Sequence, residues 1–464
     1  VIIIVIKRAS YVNRIRVNSP RLLLDTGKAL WHYFRCAVKK GVGTVAAVNI
    51  IADDLTGACD TGLQFHNCGF RVLVLRDPKW LWEYSPMYDA ISLDIDTRGG
   101  SREEAIRGAG EAASSLRSCR PSTLTYKKVD STLRGHIGAE IDAIMDVFTP
   151  PCALVAPAYP REGRQTIDGI HLVRSIPLAQ TDLSRDPRWP IPKSSLPSLV
   201  GSQSRRRIAH IAHKVTSRGL EALRTEVERV LKEGAEIVTF DVVSDQDLDL
   251  ITQVGLSMSK LPLFVGSAGL AACLGARLRI DREVKPTISR GQPIKGGSIA
   301  IVGSLSKASD RQVERAVERG TRLIRLDEES GKGNLHLKMI SDKILSDLFE
   351  GIDTLIWTKP GREGHIAPAP DNPFAQLIRK LILRLAPEPS LRGIVLTGGD
   401  TASIVLSALE ADALEIVSEV QPAVPCCKIV TGRSRGLRVI TKAGAFGDED
   451  TLVRCLDFLR RVKI

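Results

Sequence analysis

None of the nine cysteines form a C-x-x-C pair, and Cys426 and Cys427 are adjacent, a poor arrangement for an ordinary structural disulfide. An odd count without framework spacing excludes a disulfide scaffold and points to a reducing, cytoplasmic setting. The eight histidines supply no ligand pair at metal spacing on a recognisable helix; His210 and His213 lie three apart, but beside a basic run. Neither a Walker A loop nor a G-x-G-x-x-G fingerprint is present. The apolar opening, residues 1–6, is too short for a secretory h-region or a membrane span, so no membrane partner is expected.

Charge of one sign is also scarce outside one segment. The net charge is +12, but residues 1–45 hold nine Lys or Arg against Asp25 alone, so eight of the twelve charges sit there. The body is only mildly basic, as suits a phosphate-handling enzyme. The basic segment carries few interleaved aromatics (Tyr11, Trp31, Tyr33, Phe34) and no known module, so no nucleic-acid partner is expected. Residues 1–44 form a basic N-terminal extension outside the fold. An upstream-extended start accounts for them, and an Arg-rich targeting segment is the alternative.

At 464 residues the chain is too long for one core. From residue 45 it alternates short apolar runs with amphipathic stretches, the pattern of an α/β protein with mainly parallel sheets. Strands are predicted at 45–51, 70–75, 90–93, 124–129, 153–156, 208–211, 237–240 and 263–265. A Pro-, Gly- and Lys-rich stretch at 285–297 marks a boundary between a domain at 45–285 and one at 298–464. The second domain repeats the rhythm, with strands at 298–302, 354–357, 393–396 and 437–441. Residues 158–204, with several prolines between Pro177 and Pro197, read as a long ordered loop or lid.

Polar residues at the carboxyl ends of parallel strands are candidate ligand contacts. Asp53, Asp96, Arg98, Asp130 and Tyr159 all fall at such ends. The densest cluster is Tyr126-Lys-Lys-Val-Asp-Ser-Thr-Leu-Arg-Gly135, which gathers Lys127, Lys128, Asp130, Ser131, Thr132 and Arg134 just before a helix. Such a place favours an anion; the blander reading makes Ser131 or Thr132 a helix N-cap. In the second domain three strand-to-helix loops are rich in small residues, Gly with Ser, Thr or Ala: residues 303–306, 397–401 and 442–447. Their backbone N–H groups suit phosphate.

Six motifs together carry a resemblance: Ala52-Asp-Asp-Leu-Thr-Gly-Ala-Cys-Asp60, Lys128-Val-Asp-Ser-Thr-Leu-Arg-Gly135, Pro157-Ala-Tyr-Pro160 with Gly163-Arg-Gln-Thr166, Gly266-Ser-Ala-Gly-Leu270, Thr397-Gly-Gly-Asp-Thr-Ala402 and Lys442-Ala-Gly-Ala-Phe-Gly447. From residue 45 onward the chain resembles the four-carbon acid sugar kinase family. The resemblance implies two α/β domains with an interdomain cleft, the first binding the acid sugar and the second ATP. It implies phosphorylation of D-threonate, D-erythronate or 3-oxo-tetronate at the terminal hydroxyl. Acid-sugar contacts are implied at Asp53 or Asp54, Arg98, Lys128, Ser131, Thr132 and Arg134. ATP contacts are implied at Ser304 or Ser306, Gly398, Gly399, Asp400, Thr401 and Gly444. Family members often carry Ser and Asn where this chain has Ala443 and Ala445.

The residue types fit that chemistry. Arg and Lys hold a carboxylate, and Asp accepts from hydroxyls. Phosphoryl transfer also needs a carboxylate near the attacking hydroxyl. Asp53, Asp54 and Asp130 are the candidates; Asp130, flanked by cations, is preferred, with Lys128 as its catalytic companion. ATP chemistry implies Mg2+, which Asp400 could help to hold. The alternative is a sugar-acid-binding sensor that has lost catalysis. A homo-oligomer is left open.

Overall fold

The computed structural model describes residues 2–8, 11–17, 47–121, 123–185, 190–191, 193–282, 295–304, 306–326, 334–358 and 373–461. Val1–Ala46 and Ala47–Ile464 are separate compact units. In the first, Ile2–Arg8 and Tyr11–Val17 pair as an antiparallel hairpin, from Ile2 opposite Val17 to Arg8 opposite Tyr11. Most of the proposed boundary at 285–297 lies outside the described residues.

In the second unit, short apolar runs form strands because they can be buried on both faces of a parallel sheet. Val48–Ala52 is wholly buried and lies between Ala90–Asp94 and Leu124–Lys128, parallel to both. One sheet of 15 strands runs through the unit. Its first part, in spatial order, is Ile208–Ile211, Ile237–Phe240, Ala153–Ala156, Leu263–Gly266, Leu124–Lys128, Val48–Ala52, Ala90–Asp94 and Val72–Leu75, all parallel. Its far part is Arg438–Lys442, Leu391–Thr397, Gly297–Val302, Thr354–Trp357 and Arg322–Arg325, again parallel. Between them stand Ala413–Gln421 and Val424–Ile429, each antiparallel to its neighbours. Ala413–Gln421 carries no strong sequence signal: Glu415, Ser418, Glu419 and Gln421 interrupt its apolar residues without a clean alternation, and most of its length is only half-buried.

Three antiparallel pairings in a row make the two parallel sets run in nominally opposite senses. Six strand steps separate Val48–Ala52 from Leu391–Thr397. At roughly 20–25° of twist per step these amount to about 120–150°, and register shifts along Ala413–Gln421 add to it. The carboxyl ends of the two central strands are thereby brought together. A Cβ placed on Gly399 would lie 3.5 Å from Thr56 Oγ1 and 3.7 Å from Asp54 Oδ2.

Pleating divides the core. Val48, Ile50 and Ala52 face one way, into an apolar cluster that continues under the far strands through Ile299, Ile394 and Val439. Ile51 faces the other way, against Ile137, Ile141 and Ile144 of the helix Ile137–Phe148.

Residues 158–204 are more regular than the proline content suggests. Arg164–Ile167, Ile170–Val173 and Ile176–Pro177 form a small antiparallel sheet, and Leu196–Gln203 is a helix. Pro197 falls in the first turn of that helix, where its missing N–H has no intrahelical partner to lose. Among the described residues, no helix is long and apolar enough to cross a membrane, and all eight cysteines are free.

A chain beginning at Val45 is expected to retain the midpoint of thermal unfolding of the full chain within about 2 °C. A fall of the midpoint by about 4 °C or more, roughly 1–2 kcal/mol for a domain of ordinary size, would show that the first unit supports the second.

Candidate active site

Alternation along Leu124–Lys128 gives two adjacent lysines different surroundings. Lys127 points to the face of Ile137–Phe148 and pairs with Glu140, Nζ to Oε2, at 2.8 Å; both are buried, and Thr97 Oγ1 donates to the same carboxylate at 2.5 Å. Lys128 points to the opposite face, toward the helix Leu55–His66. Its ammonium would lie 2.8 Å from a Cβ on Gly57, so the glycine makes room for it. Lys128 is 5 % exposed, and no carboxylate lies within ion-pair distance of it among the described residues.

The strand ends supply the rest. Asp53 accepts both arms of Arg98, Nε at 2.8 Å and Nη2 at 2.7 Å. The same Nη2 lies 2.6 Å from Asp54 Oδ1. Asp54 also caps Leu55–His66 through the Gly57 N–H, at 3.0 Å. Asp130 pairs with Arg134 at 2.6 Å and accepts a short bond from Thr132 Oγ1. Gly135 takes φ +98, and a Cβ there would lie 2.9 Å from Asp53 Oδ2, so the loop can close over Asp53 only as glycine. Asp53, Asp54, Arg98, Lys128, Asp130, Ser131, Thr132 and Arg134 are therefore gathered along one line of strand ends.

The reading of Ser131 or Thr132 as an N-cap is not what the fold does. The helix begins at Ile137 and its N-cap is His136, whose side chain makes no capping bond; in the first turn the Gly138 N–H donates instead to Gln203 Oε1 at 2.9 Å. Leu133 at φ +60 and Gly135 at φ +98 turn the chain before the helix starts. The hydroxyls thus belong to a loop, where both residues are buried.

Burial by itself would raise the carboxyls of this cluster, and the cations outweigh it at two of them. Arg98, Lys127 and Lys128 hold Asp53 below its usual range; Arg134 and Arg98 hold Asp130 well below it. Asp60, one helical turn beyond Gly57, behaves differently: burial pushes it up to about 7 against the pull of Lys128.

In the far half, Ser304, Ser306, Gly398, Thr401 and Gly444 come together. Ser306 caps the helix Lys307–Glu318 and donates to the Gly444 carbonyl at 2.7 Å. A Cβ on Gly444 would run into Ser304 Oγ, and one on Gly303 into Thr401 Oγ1. Gly398, at φ +102, precedes the helix Gly399–Ala408. Asp400 is exposed in its first turn, and its charge helps burial to raise the carboxyl of Asp96 in the near half.

Four further residues belong to the arrangement. Arg164 sits 5.5 Å from the centre of the Phe446 ring, linking the small sheet to the last far loop. His171 is fully buried, receives from Thr166 Oγ1 at Nδ1 (3.0 Å) and donates from Nε2 to the Ser131 carbonyl (2.8 Å). Asp60 and Lys442 complete the set. Arg164, Asp60 and Lys442 fall inside the motifs quoted above, which was the available signal; His171 had none.

Comparison with known proteins agrees with this division. A family model described as a sugar-binding N-terminal domain matches residues 48–274, and one described as a nucleotide-binding C-terminal domain matches 299–452. A D-threonate kinase of Salmonella typhimurium is 31% identical over 89% of this chain and 98% of its own length. A D-erythronate kinase of Heliobacterium modesticaldum is 31% identical over 89% and 97%. A 3-oxo-tetronate kinase of Brucella melitensis is 26% identical over 87% and 93%. A solved structure from Salmonella typhimurium superposes with a TM-score of 0.74 at 23% identity, covering 88% of this chain and 98% of that one, and supports the fold alone. The two halves and their strand-end loops are those of a phosphotransferase acting on an alcohol group. The chain belongs to the four-carbon acid sugar kinase family.

His171 generates a prediction. Burial pulls its imidazole down to about 4 from an ordinary value of 6.5. Between those values the unfolded chain binds the extra proton, so the stability linked to a neutral His171 is complete above about pH 6.5 and drains away as pH falls toward 4. From pH 7.5 to pH 5 the loss is expected to be about 2 kcal/mol. Urea unfolding at the two pH values measures it, and His171→Gln is expected to reduce the pH-dependent difference by that amount. An unchanged difference in the variant would refute the assignment.

Proposed function

We propose that the enzyme transfers the γ-phosphate of ATP to the terminal hydroxyl of a four-carbon sugar acid (threonate, erythronate or 3-oxo-tetronate), in carbohydrate catabolism in the cytoplasm. The observation that carries the reading is the buried ammonium of Lys128. Among the described residues it stands without an ion-pair partner, on the near side of the gap that Gly399 faces from the far side.

In this reading the substrate carboxylate and the transferring phosphate share the cations Lys128 and Arg134, while Asp53, Ser131 and Thr132 receive or donate to hydroxyls. Arg98 is occupied with Asp53 and Asp54, so its part is to hold those carboxylates in place. Asp130, ionised by its cationic neighbours, orients the attacking hydroxyl as an acceptor. A loose phosphoryl-transfer transition state asks for position and charge neutralisation more than for a strong base, so a low carboxylate pKa is no obstacle. ATP would be held by backbone groups of Gly398, Gly399, Thr401 and Gly444 and by the hydroxyls of Ser304 and Ser306.

Among the described residues, no three His, Cys, Asp or Glu side chains form a metal site of their own. Asp400, Asp96 and Asp54 nonetheless concentrate negative charge where the halves meet: burial, Asp400 and Asp54 all act to raise Asp96. Such oxygen donors fit Mg2+ held mainly by nucleotide phosphates, with Asp400 as the protein's contribution. When bound, the ion would neutralise charge on the phosphates.

The relatives named for D-threonate and D-erythronate are equally similar to this chain, so the test is a coupled ADP-release screen over D-threonate, L-threonate, D-erythronate and the 3-oxo acid. Turnover with at least one is expected; none with any would overturn the proposal.

The two halves should also separate by substitution. Lys128→Ala is expected to weaken sugar-acid binding roughly ten- to hundredfold, the worth of a charge-assisted hydrogen bond, and to weaken ATP binding far less. Gly444→Ala, which forces a side chain against Ser304, is expected to do the reverse. Calorimetry with each ligand on folded variants decides it; the opposite pattern would exchange the two assignments.

A further inference from the structure

Lys442 closes the strand Arg438–Lys442, which lies beside Leu391–Thr397. It is 1 % exposed. Its ammonium donates to three backbone carbonyls of the loop that follows: Ala443 at 2.9 Å, Gly444 at 3.3 Å and Phe446 at 3.1 Å. No carboxylate pairs with it among the described residues. Other donors converge on the same carbonyls. Ser306 and Ser309 reach that of Gly444, at 2.7 and 3.0 Å, and Gln312 reaches that of Phe446 at 3.1 Å.

In a trans peptide the carbonyl of one residue and the N–H of the next point in opposite directions. With the carbonyls of Ala443, Gly444 and Phe446 turned inward onto Lys442, the N–H groups of Gly444, Ala445 and Gly447 are turned outward. Among the described residues, the only backbone bond donated from within residues 444–447 runs from Phe446 to Ala443, at 3.1 Å. The amides of Gly444, Ala445 and Gly447 have no acceptor among the described residues. Ala443 and Ala445 bring no polar side chain, so any anion held by this loop is held by its backbone.

We infer that Lys442 is a positioning residue that fixes residues 443–447 with their amides facing the nucleotide phosphates, adding a buried positive charge behind them. The inference rests on the reading that the far half binds ATP. Desolvation pulls the ammonium down to about 8, as expected of a buried cation bonded only to neutral carbonyls. A methionine in its place would fill similar space without donors, leaving the carbonyls free to turn and the amides without a fixed direction.

The test is calorimetric titration of the full chain with the non-hydrolysable ATP analogue AMP-PNP in Mg2+, and separately with D-threonate and D-erythronate. For Lys442→Met, AMP-PNP affinity is expected to fall roughly ten- to hundredfold, with sugar-acid affinity within about twofold of the original. Lys442→Arg, which keeps charge and donors, is expected to recover part of the loss. If Lys442→Met does not fold, Ser309→Ala, which removes one donor from the Gly444 carbonyl, is expected to weaken AMP-PNP severalfold with the same selectivity. AMP-PNP affinity unchanged in the folded variants, or equal losses for both ligands, would overturn the inference while leaving the kinase reading intact. Absence of AMP-PNP binding by the unsubstituted chain would overturn both.

Discussion

The antiparallel pairing of Val72–Leu75 with Ala413–Gln421 is the constraint on which the rest depends. Each parallel set, standing alone, would end in a row of unpaired backbone groups. Joining them through two antiparallel strands satisfies both edges and makes one apolar layer beneath the near and far strands. Side chains reinforce the joint. Arg76 reaches Ser403 and Ser407 of the far helix, at 3.1 and 2.9 Å, while Lys79 and Trp80 both bond Asp412, at 2.9 and 3.1 Å. The relation between Asp54 and Gly399 is therefore set by backbone pairing and packing, before any ligand arrives.

Within that frame the near half solves an electrostatic problem. Four cations and at least as many carboxylates crowd a poorly hydrated space, where an uncompensated charge is expensive. Arg98 is matched to Asp53 and Asp54, Arg134 to Asp130, and Lys127 to Glu140. Lys128 is left over. Its charge is balanced at longer range by Asp53, Asp60 and Asp130, on whose carboxyls it acts. A preorganised cation of this kind needs little rearrangement to meet an anion, which is the property electrostatic catalysis requires.

The far half works with less charge. Its loops are rich in small residues, and the serine hydroxyls among them are engaged with one another and with backbone: Ser306 with Ser309 at 3.1 Å, and both with Gly444. Binding through backbone N–H groups demands that the chain hold its own carbonyls out of the way, which is where Lys442 enters. In the proposed reading the enzyme pairs a side-chain-rich pocket for the acid with a backbone-rich one for the nucleotide.

Much of this was legible without coordinates. The buried strands announce themselves as apolar runs, since a strand covered on both faces tolerates little else, and the motifs at their carboxyl ends name the cluster from Asp53 to Arg134 and the Gly-rich loops. The Ser-x-x-Glu spacing of Ser101 and Glu104 is the pattern of a capping box, and the two residues form one at the start of the helix Arg102–Cys119. What the sequence could not decide is pairing between distant segments. Ala413–Gln421 looks like neither a buried strand nor an amphipathic one, because it is partly covered and bulged, and its partner lies more than 300 residues earlier. Likewise Lys127 and Lys128 are neighbours of one type. Only the pleat of their strand, and what packs on each side of it, makes one a structural ion pair and leaves the other without an ion-pair partner among the described residues. Residue type fixes what a group can do; which partner exhausts it is settled by tertiary contacts that no local pattern encodes.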